Sequence, residues 1–310
     1  MSGSGNIPLV DFRDYAAGGD LREAFVEALG EGLEAFGFVN VEGHGIEPEL
    51  IDEAYRLAGE AFALPDAAKQ RYETPEDGRQ RGYTSYGVEH ARDHGAPDLK
   101  EFWHVGRHLG ADHPLHRSGD VPPNQFPEEI AGFDHTFLAL FERLEGFAND
   151  LLEAVGAYLG QPPSTFRDMV RDGNSVLRVI HYPDLGGPPA PGAVRAAQHE
   201  DINLLTVLPA STRPGLEILT RDGRWMPVQA PPGAMVCDTG DMMARITGGR
   251  IPATTHRVVN PEGADGGRLS MPFFLHPHPD IVLRPLLGEG APAIRARDFL
   301  RQRLQEIGVA

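Results

Sequence analysis

The chain has 310 residues, of which 41% are hydrophobic and 24% charged, a composition ordinary for a soluble globular protein with a well-buried core. Its 28 basic and 45 acidic residues give a net charge of −17, which argues against nucleic acid or an anionic membrane as a partner. The single cysteine, Cys237, excludes an intrachain disulfide, and no leader or membrane-spanning apolar run is apparent, so we expect a cytoplasmic protein.

The first half of the chain is predicted to be mainly helical. Asp20 can cap a helix, with Glu23 three residues later, and apolar residues then recur at helical spacing as far as Phe36. A short strand is expected at 38–41. The predicted helices lie at 20–36, 47–64, 65–72, 133–159, 161–172 and, at the end of the chain, 296–307.

The segment 82–106 is rich in aromatic residues between glycines. We interpret it as a loop between the helical half and the β half that contacts the substrate. The candidate pocket residues in this segment are Tyr83, Tyr86, Glu101 and Trp103. The alternative for each of them is a packed connector without contact to a ligand.

From Ser175 onward, short β-prone runs alternate with Gly/Pro turns. These runs lie at 175–182, 203–208, 215–219, 225–229, 234–237, 255–259 and 269–275. Their near-regular spacing predicts a sandwich or jelly roll rather than a parallel sheet. We expect a surface loop at 186–192 and a Gly/Ser tail at 1–6.

His199 and Asp201 are two residues apart in a β-prone stretch, so on a strand their side chains would project to the same face, while Glu200 would face away. A second histidine, His256, follows in a later β-prone run. Two imidazoles and one carboxylate form the ligand set of mononuclear non-heme Fe(II) oxygenases, which leaves coordination positions open. A chance His-x-Asp pair is the alternative, because the chain has 13 His and 45 acidic residues.

Arg268 and Ser270 follow the second histidine and would share one strand face. A guanidinium presents a fork of donors that fits a carboxylate, and the serine hydroxyl adds another donor. A structural ion pair is the alternative role for Arg268. The ordered set of two ligands, a third ligand and a carboxylate clamp is harder to explain by chance than any one member.

Several motifs resemble the isopenicillin N synthase-like branch of the 2-oxoglutarate/Fe(II)-dependent oxygenases. The motifs that carry the resemblance are His199-Glu200-Asp201, His256-Arg257-Val258-Val259-Asn260, Arg268-Leu269-Ser270-Met271-Pro272-Phe273-Phe274, Arg178-Val179-Ile180-His181-Tyr182-Pro183, Ile7-Pro8-Leu9-Val10-Asp11 and the segment 36–46. The similarity runs from about Ile7 to about Pro277.

The resemblance implies an α+β fold whose core is a double-stranded β-helix (a cupin-like jelly roll), with a helix-rich N-terminal region packed on it. The corresponding regions are 1–105 (helix-rich N-terminal region), 106–172 (connecting segment and long support helix), 173–280 (jelly-roll oxygenase core) and 281–310 (C-terminal helical segment). We expect a monomer.

The resemblance also implies an enzyme that uses Fe(II), O2 and 2-oxoglutarate to oxidise a C–H bond of a small molecule, by hydroxylation, desaturation or cyclisation, releasing succinate and CO2. The metal ligands would be His199, Asp201 and His256. Arg268, Ser270 and Tyr182 would hold the 2-oxoglutarate. His181 and Phe274 join the pocket candidates, and no separate acid or base is assigned.

Two alternatives remain open on the sequence. Isopenicillin N synthase keeps the same motif order but uses no 2-oxoglutarate, and its Arg-x-Ser pair and tyrosine hold a substrate carboxylate instead. The chain could therefore be an Fe(II) oxidase that acts on a substrate derived, for instance, from an amino acid or peptide. A binding scaffold with an idle metal site is the non-enzymatic alternative.

Overall fold

The computed structural model describes residues 6–89, 98–186, 194–260, 266–288 and 290–306. The predicted tail at 1–6 and loop at 186–192 lie largely outside these ranges, as does part of the segment 82–106. The helices are α1 (Phe12–Ala17), α2 (Gly19–Phe36), α3 (Pro48–Phe62), α4 (Asp66–Lys69), α5 (Pro114–Arg117), α6 (Phe133–Tyr158), α7 (Ser164–Val170), α8 (Asp241–Ile246) and α9 (Ala296–Glu306). Within the described ranges, none of these helices is both long enough and apolar enough to span a membrane.

Strands from both halves of the chain form the sheets. They are β1 (Leu9–Asp11), β2 (Phe38–Glu42), β3 (Gly82–Thr84), β4 (Glu101–Gly106), β5 (Val176–Tyr182), β6 (Ala196–His199), β7 (Leu205–Leu208), β8 (Leu216–Leu219), β9 (Trp225–Pro227), β10 (Met235–Thr239), β11 (His256–Val258), β12 (Arg268–Ser270), β13 (Phe273–Leu275), β14 (Val282–Leu283) and β15 (Ile294–Arg295). The large sheet has the order β1-β2-β10-β7-β13-β5-β4-β3, and β12 also pairs with β5. A second sheet has the order β6-β11-β8-β9.

The two sheets face each other across apolar side chains. One cluster joins Ile180 and Tyr182 of the large sheet to Ala196 and Val258 of the second sheet. Another joins Phe38 and Val236 of the large sheet to Ile218 of the second. The described β strands thus form a sandwich, the architecture that the spacing of the β-prone runs predicts.

Helix α6 supports the other face of the large sheet. Its buried stripe includes Phe137, Leu140, Phe141 and Leu144, whose spacing of three and four residues puts them on one helix side. The Phe141 ring meets Phe273 of β13 edge-on, with 5.1 Å between the ring centroids. Helices α2 and α3 pack on α6 in turn, so the N-terminal helices and the sheet share one apolar core.

Some local predictions need correction. Helix α2 begins at Gly19, and its N-cap residue is Gly18, which has no side chain to form a capping hydrogen bond. Asp20 is therefore not the N-cap. The run 269–275 is two strands, because Pro272 has no N–H for the sheet ladder. The segment 82–106 contains the paired strands β3 and β4 rather than a loop alone. Helix α8 was not predicted.

Candidate active site

Two histidines face each other across the edge of the second sheet. His199, the last residue of β6, is the cross-strand partner of His256, the first residue of β11. Their ring centroids are 4.4 Å apart. Asp201 lies two residues beyond the end of β6, so it is not on the predicted strand, yet its Oδ1 is 4.0 Å from Nε2 of His199 and 3.7 Å from Nε2 of His256. One ligand atom of each residue lies within 4.8 Å of the others.

The hydrogen bonds of both imidazoles orient a lone pair toward this group. Nδ1 of His199 is 2.7 Å from the carbonyl oxygen of Ala197, and Nδ1 of His256 is 3.1 Å from that of Thr254. A carbonyl only accepts, so each Nδ1 carries the proton and each Nε2 keeps a lone pair that can bind a metal. Burial, and next the neighbouring His256, lower the pKa of His199 to about 4, which keeps its imidazole neutral.

Two residues without a sequence signal support Asp201, the third candidate ligand. The Thr206 hydroxyl on β7 donates to Oδ2 of Asp201. Asp238 on β10 is the cross-strand partner of Thr206, and burial, followed by the charge of Asp201, holds its pKa well above the usual range. The backbone at Gly240 also packs closely against Asp201, since a Cβ at Gly240 would lie 2.6 Å from the carbonyl oxygen of Asp201. Together these contacts leave Oδ1 of Asp201 directed at the two imidazoles.

The donor set of His199, Asp201 and His256 fits Fe(II). Two neutral imidazoles and one carboxylate neutralise one of its two charges and leave coordination positions for other ligands. Glu200, between two of these residues, accepts a hydrogen bond from the Thr255 hydroxyl instead, consistent with the expectation that it faces away.

The carboxylate-clamp candidates lie together on β5 and β12. Arg268 is the cross-strand partner of Tyr182, and Ser270 that of Ile180, so the Arg268 and Tyr182 side chains share one face. The guanidinium carbon of Arg268 is 5.1 Å from the centroid of the Tyr182 ring. All three candidates are buried.

The guanidinium of Arg268 is only partly satisfied within the protein. Its Nε donates to the carbonyl oxygen of Arg213 and its Nη2 to the Ser211 hydroxyl, both at 2.9 Å. Its Nη1 is buried without a hydrogen-bond partner. Among the described residues, no carboxylate lies within ion-pair distance of Arg268. A buried donor left unpaired is costly, so this end of the sandwich suits a ligand that brings a carboxylate.

A cavity of about 490 Å³ adjoins His199 and Asp201. Helix α9 closes one side of it through Leu300 and Leu304. Phe274, one of the predicted pocket residues, lines it. The other polar or charged lining residues outside the ligand group include Glu89, Asp98, Lys100, His104, Asn174, Arg178 and His276.

Four predicted pocket residues lie on the other face of the sheet, and the prediction for them is corrected on this geometry. Side chains alternate along a strand, and His104 of β4 with its partner Arg178 of β5 points into the cavity. Glu101 and Trp103 lie an odd number of positions from His104 on β4, so their side chains point to the helical side of the sheet. Their cross-strand partners, His181 and Tyr83 respectively, point to the same side.

These four side chains have partners on the helical side. The Tyr83 hydroxyl donates to Glu101, and Nδ1 of His181 lies 2.7 Å from the Glu101 carboxylate. The Trp103 indole is fully buried and donates to the carbonyl oxygen of Gln125. Tyr86, the fourth candidate of the segment 82–106, is 46% exposed and does not line the cavity.

Two family models match the chain. The model of the N-terminal region of non-haem dioxygenases in morphine synthesis matches residues 7–129, and that of the 2OG-Fe(II) oxygenase superfamily matches residues 173–277. The second match contains all the ligand and clamp candidates described above.

Individual relatives align over nearly the whole chain. The 2-oxoglutarate-Fe(II) type oxidoreductase hxnY of Emericella nidulans is 30% identical, over 90% of this chain and 82% of the relative. A 2OG-Fe(II) oxygenase family protein of Caulobacter crescentus has a crystal structure with a TM-score of 0.88 and 39% identity, over 98% of this chain and 100% of that one. A full-length Neurospora crassa protein, solved in complex with alpha-KG (2-oxoglutarate) and thymine, is 26% identical with a TM-score of 0.85, over 98% of both chains.

Proposed function

We propose, from the premise that this chain belongs to the 2OG-Fe(II) oxygenase superfamily, that His199, Asp201 and His256 hold one Fe(II) and that Arg268, Ser270 and Tyr182 hold 2-oxoglutarate. The observation that carries the proposal is the convergence of three metal-ligand atoms within 4.8 Å of one another beside a cavity. The unpaired Nη1 of the buried Arg268 supports the position of the co-substrate.

Family membership confirms the predicted class of enzyme. The chain is an Fe(II)- and 2-oxoglutarate-dependent dioxygenase with an α+β jelly-roll fold, and its cofactors are Fe(II), 2-oxoglutarate and O2. The alternative of an oxidase that needs no 2-oxoglutarate is not favoured, because the relatives carry the names of 2-oxoglutarate enzymes.

When bound at this ligand set, Fe(II) supplies the oxidation chemistry, coupling decarboxylation of 2-oxoglutarate to oxidation of a substrate C–H bond. The protein residues supply position and exclusion of water. The two Nδ1–H groups fix the imidazole rings, and Thr206 fixes the carboxylate of Asp201. Arg268 offers its remaining N–H donors to the far carboxylate of the co-substrate, and Ser270 and Tyr182 offer hydroxyls beside it.

The prime substrate is a small molecule that occupies the 490 Å³ cavity. The Neurospora crassa complex with thymine, from a relative of the same overall fold, supports a ligand of this size. Phe274 is the member of the predicted pocket set that we assign to this cavity. A substrate derived from an amino acid or peptide, and a monomeric state, remain predictions, the second testable by light scattering.

The proposal is tested by loading the protein with Fe(II) and following succinate release from 2-oxoglutarate in air. Iron content is determined in parallel by metal analysis. We expect stoichiometric iron and slow succinate formation without a prime substrate, accelerated when a metabolite library supplies one. Oxygen uptake that depends on a substrate but not on 2-oxoglutarate would overturn the co-substrate assignment and restore the oxidase alternative.

A further inference from the structure

The wall of the cavity carries buried charges of both signs that compensate one another. Nζ of Lys100 lies 2.7 Å from Glu89 and 2.8 Å from Asp98, and Nη1 of Arg178 lies 3.1 Å from Glu89. Burial opposes ionisation of Glu89, but the positive charges of Arg178 and Lys100 outweigh it and hold the pKa of Glu89 well below its usual range. On this side of the cavity, the two positive groups Lys100 and Arg178 and the two negative groups Glu89 and Asp98 balance one another before any ligand binds.

Arg178 keeps one amino group for a ligand. Its Nε donates to Nε2 of His104 at 2.7 Å and its Nη1 donates to Glu89, whereas its Nη2 has no hydrogen-bond partner among the described residues. The guanidinium carbon lies 4.4 Å from the centroid of the Phe102 ring and 5.6 Å from that of Phe274. These contacts hold the guanidinium in one orientation, so Nη2 is a preorganised hydrogen-bond donor at the cavity.

His276 presents the complementary acceptor. Its Nδ1 lies 3.3 Å from the carbonyl oxygen of Phe274, which can only accept, so Nδ1 carries the proton and Nε2 keeps its lone pair. The ring lines the cavity and is almost fully buried. No described residue is hydrogen-bonded to Nε2 of His276.

Donor and acceptor lie in opposite directions along the sheet from Phe274. Phe274 is the cross-strand partner of Val176. In this antiparallel pair, Arg178 is two residues from Val176 in one direction along the sheet, and His276 is two residues from Phe274 in the other. Each step of two residues is about 6.6 Å. A ring-sized ligand over Phe274 would therefore face Arg178 at one end and His276 at the other.

The compensated charges decide which kind of ligand fits. A carboxylate against Arg178 would add a third negative charge to a buried wall that has only two positive ones, and an uncompensated buried charge is strongly unfavourable. A neutral carbonyl accepts from Nη2 without disturbing the balance. A ligand N–H can donate to Nε2 of His276, which a carboxylate cannot do.

We infer that the prime substrate is a small neutral cyclic amide or imide, whose carbonyl oxygen accepts from Arg178, whose N–H donates to His276 and whose ring packs on Phe274. This inference rests on the proposed function for its assignment of the cavity to the prime substrate. The binding geometry itself involves none of the proposed metal or 2-oxoglutarate ligands.

The test compares two ring ligands of similar size by calorimetry, on protein loaded with Fe(II) and 2-oxoglutarate without oxygen. Thymine is a neutral cyclic imide, and 4-methylbenzoate carries a carboxylate. We expect thymine to bind at least about tenfold more tightly. Arg178→Gln should weaken thymine binding at least about tenfold, because a hydrogen bond to a charged donor contributes roughly 1.5–3 kcal/mol and 1.4 kcal/mol is a factor of ten.

A second pair of variants separates loss of recognition from loss of folding. Arg178→Lys keeps a positive charge beside Glu89 but removes the oriented fork, and should weaken thymine binding as well. His276→Phe removes the acceptor and should do the same. Arg56→Gln, the same change at an exposed arginine paired with Glu53, should leave thymine affinity unchanged.

Several results would overturn the inference. They are tighter, Arg178-dependent binding of 4-methylbenzoate, thymine binding indifferent to both Arg178 and His276, and failure of both ligands to bind wild-type protein. The proposed function fails on a different measurement, namely absence of iron or of 2-oxoglutarate binding in the wild type. Thymine binding to metal-free protein would still depend on Arg178, so the two failures are distinguishable.

Discussion

Replacing Arg268 by leucine tests whether this residue holds the co-substrate. In the folded protein its Nε and Nη2 are occupied by the Arg213 carbonyl oxygen and the Ser211 hydroxyl, so Nη1 and the second N–H of Nη2 remain for a ligand. We expect Arg268→Leu to raise the 2-oxoglutarate concentration needed for half-maximal rate. Iron content should be unchanged, because Arg268 is not among the three clustered metal-ligand candidates.

The size of the effect follows from the number of available donors. One hydrogen bond to a charged group contributes roughly 1.5–3 kcal/mol, and each 1.4 kcal/mol is a factor of ten in affinity. Loss of a single bond through Nη1 thus corresponds to a weakening of about tenfold to about a hundredfold. Loss of two bonds would exceed that range.

The assay is 2-oxoglutarate titration by calorimetry on Fe(II)-loaded protein without oxygen, with succinate release measured in air. Arg171→Leu, at an arginine 69% exposed, is the matched control for the same substitution. A thermal unfolding scan shows whether Arg268→Leu is folded; removal of a buried charge that lacks an ion-pair partner need not destabilise it. An unchanged 2-oxoglutarate affinity in a folded, iron-loaded Arg268→Leu protein would refute the assignment.

Three further outcomes are expected. His256→Ala should lose iron and succinate formation together, whereas full iron occupancy by metal analysis would remove that residue from the site. His276→Gln should flatten the pH dependence of stability in urea. Burial holds the pKa of His276 at about 4 in the folded state, below its unfolded value of about 6.5, so the unfolded state takes up the proton first as the pH falls. The wild type should therefore lose about 2 kcal/mol more than this variant between pH 7 and pH 5, and equal losses would contradict the argument. Trp103→Ala should destabilise the fold by about 3–5 kcal/mol, because the indole is fully buried against Tyr72 and Phe133, whereas Tyr86→Ala should stay within about 0.5 kcal/mol; comparable effects would contradict the assignment of Trp103 to the core.

The ligand candidates could be found from sequence because their chemistry depends on residue type and order. A His-x-Asp pair with a later histidine indicates a metal site, and an Arg-x-Ser pair indicates a carboxylate site. The structure brings the three candidate metal ligands together, and it pairs Arg268 with Tyr182 across β12 and β5. The supports of Asp201 could not be found in this way. Thr206 and Asp238 act through the pairing of β7 with β10, two strands far apart in the chain, and neither residue belongs to a recognisable motif.

Strand β4 shows why the pocket residues were misassigned. All six of its residues, Glu101 to Gly106, are buried, so the strand lacks the alternation that marks a sheet with one solvent face. Charged residues face both ways, because Lys69 pairs with Glu101 on the helical side while His104 contacts Arg178 on the cavity side. Without the strand register, polar residues on opposite faces look equally suited to bind a substrate.

One strand connects the two proposed ligand positions. Val176, Arg178, Ile180 and Tyr182 alternate along β5, so they face the same side, and Arg178 and Tyr182 are about 13 Å apart along it. The two ends differ in charge compensation. Arg178 shares the carboxylate of Glu89, whereas Arg268, beside Tyr182, has no carboxylate within ion-pair distance among the described residues.

This difference can direct ligands of different charge to different positions along β5. A dianion gains most where a buried guanidinium lacks an anionic partner, and the apolar Ile180 separates that end from the compensated wall. At the Arg178 end, an anion would have to compete with Glu89 for the same cation, while a neutral carbonyl would not. We therefore infer that charge compensation, rather than the number of arginines, determines which end receives the co-substrate and which the prime substrate.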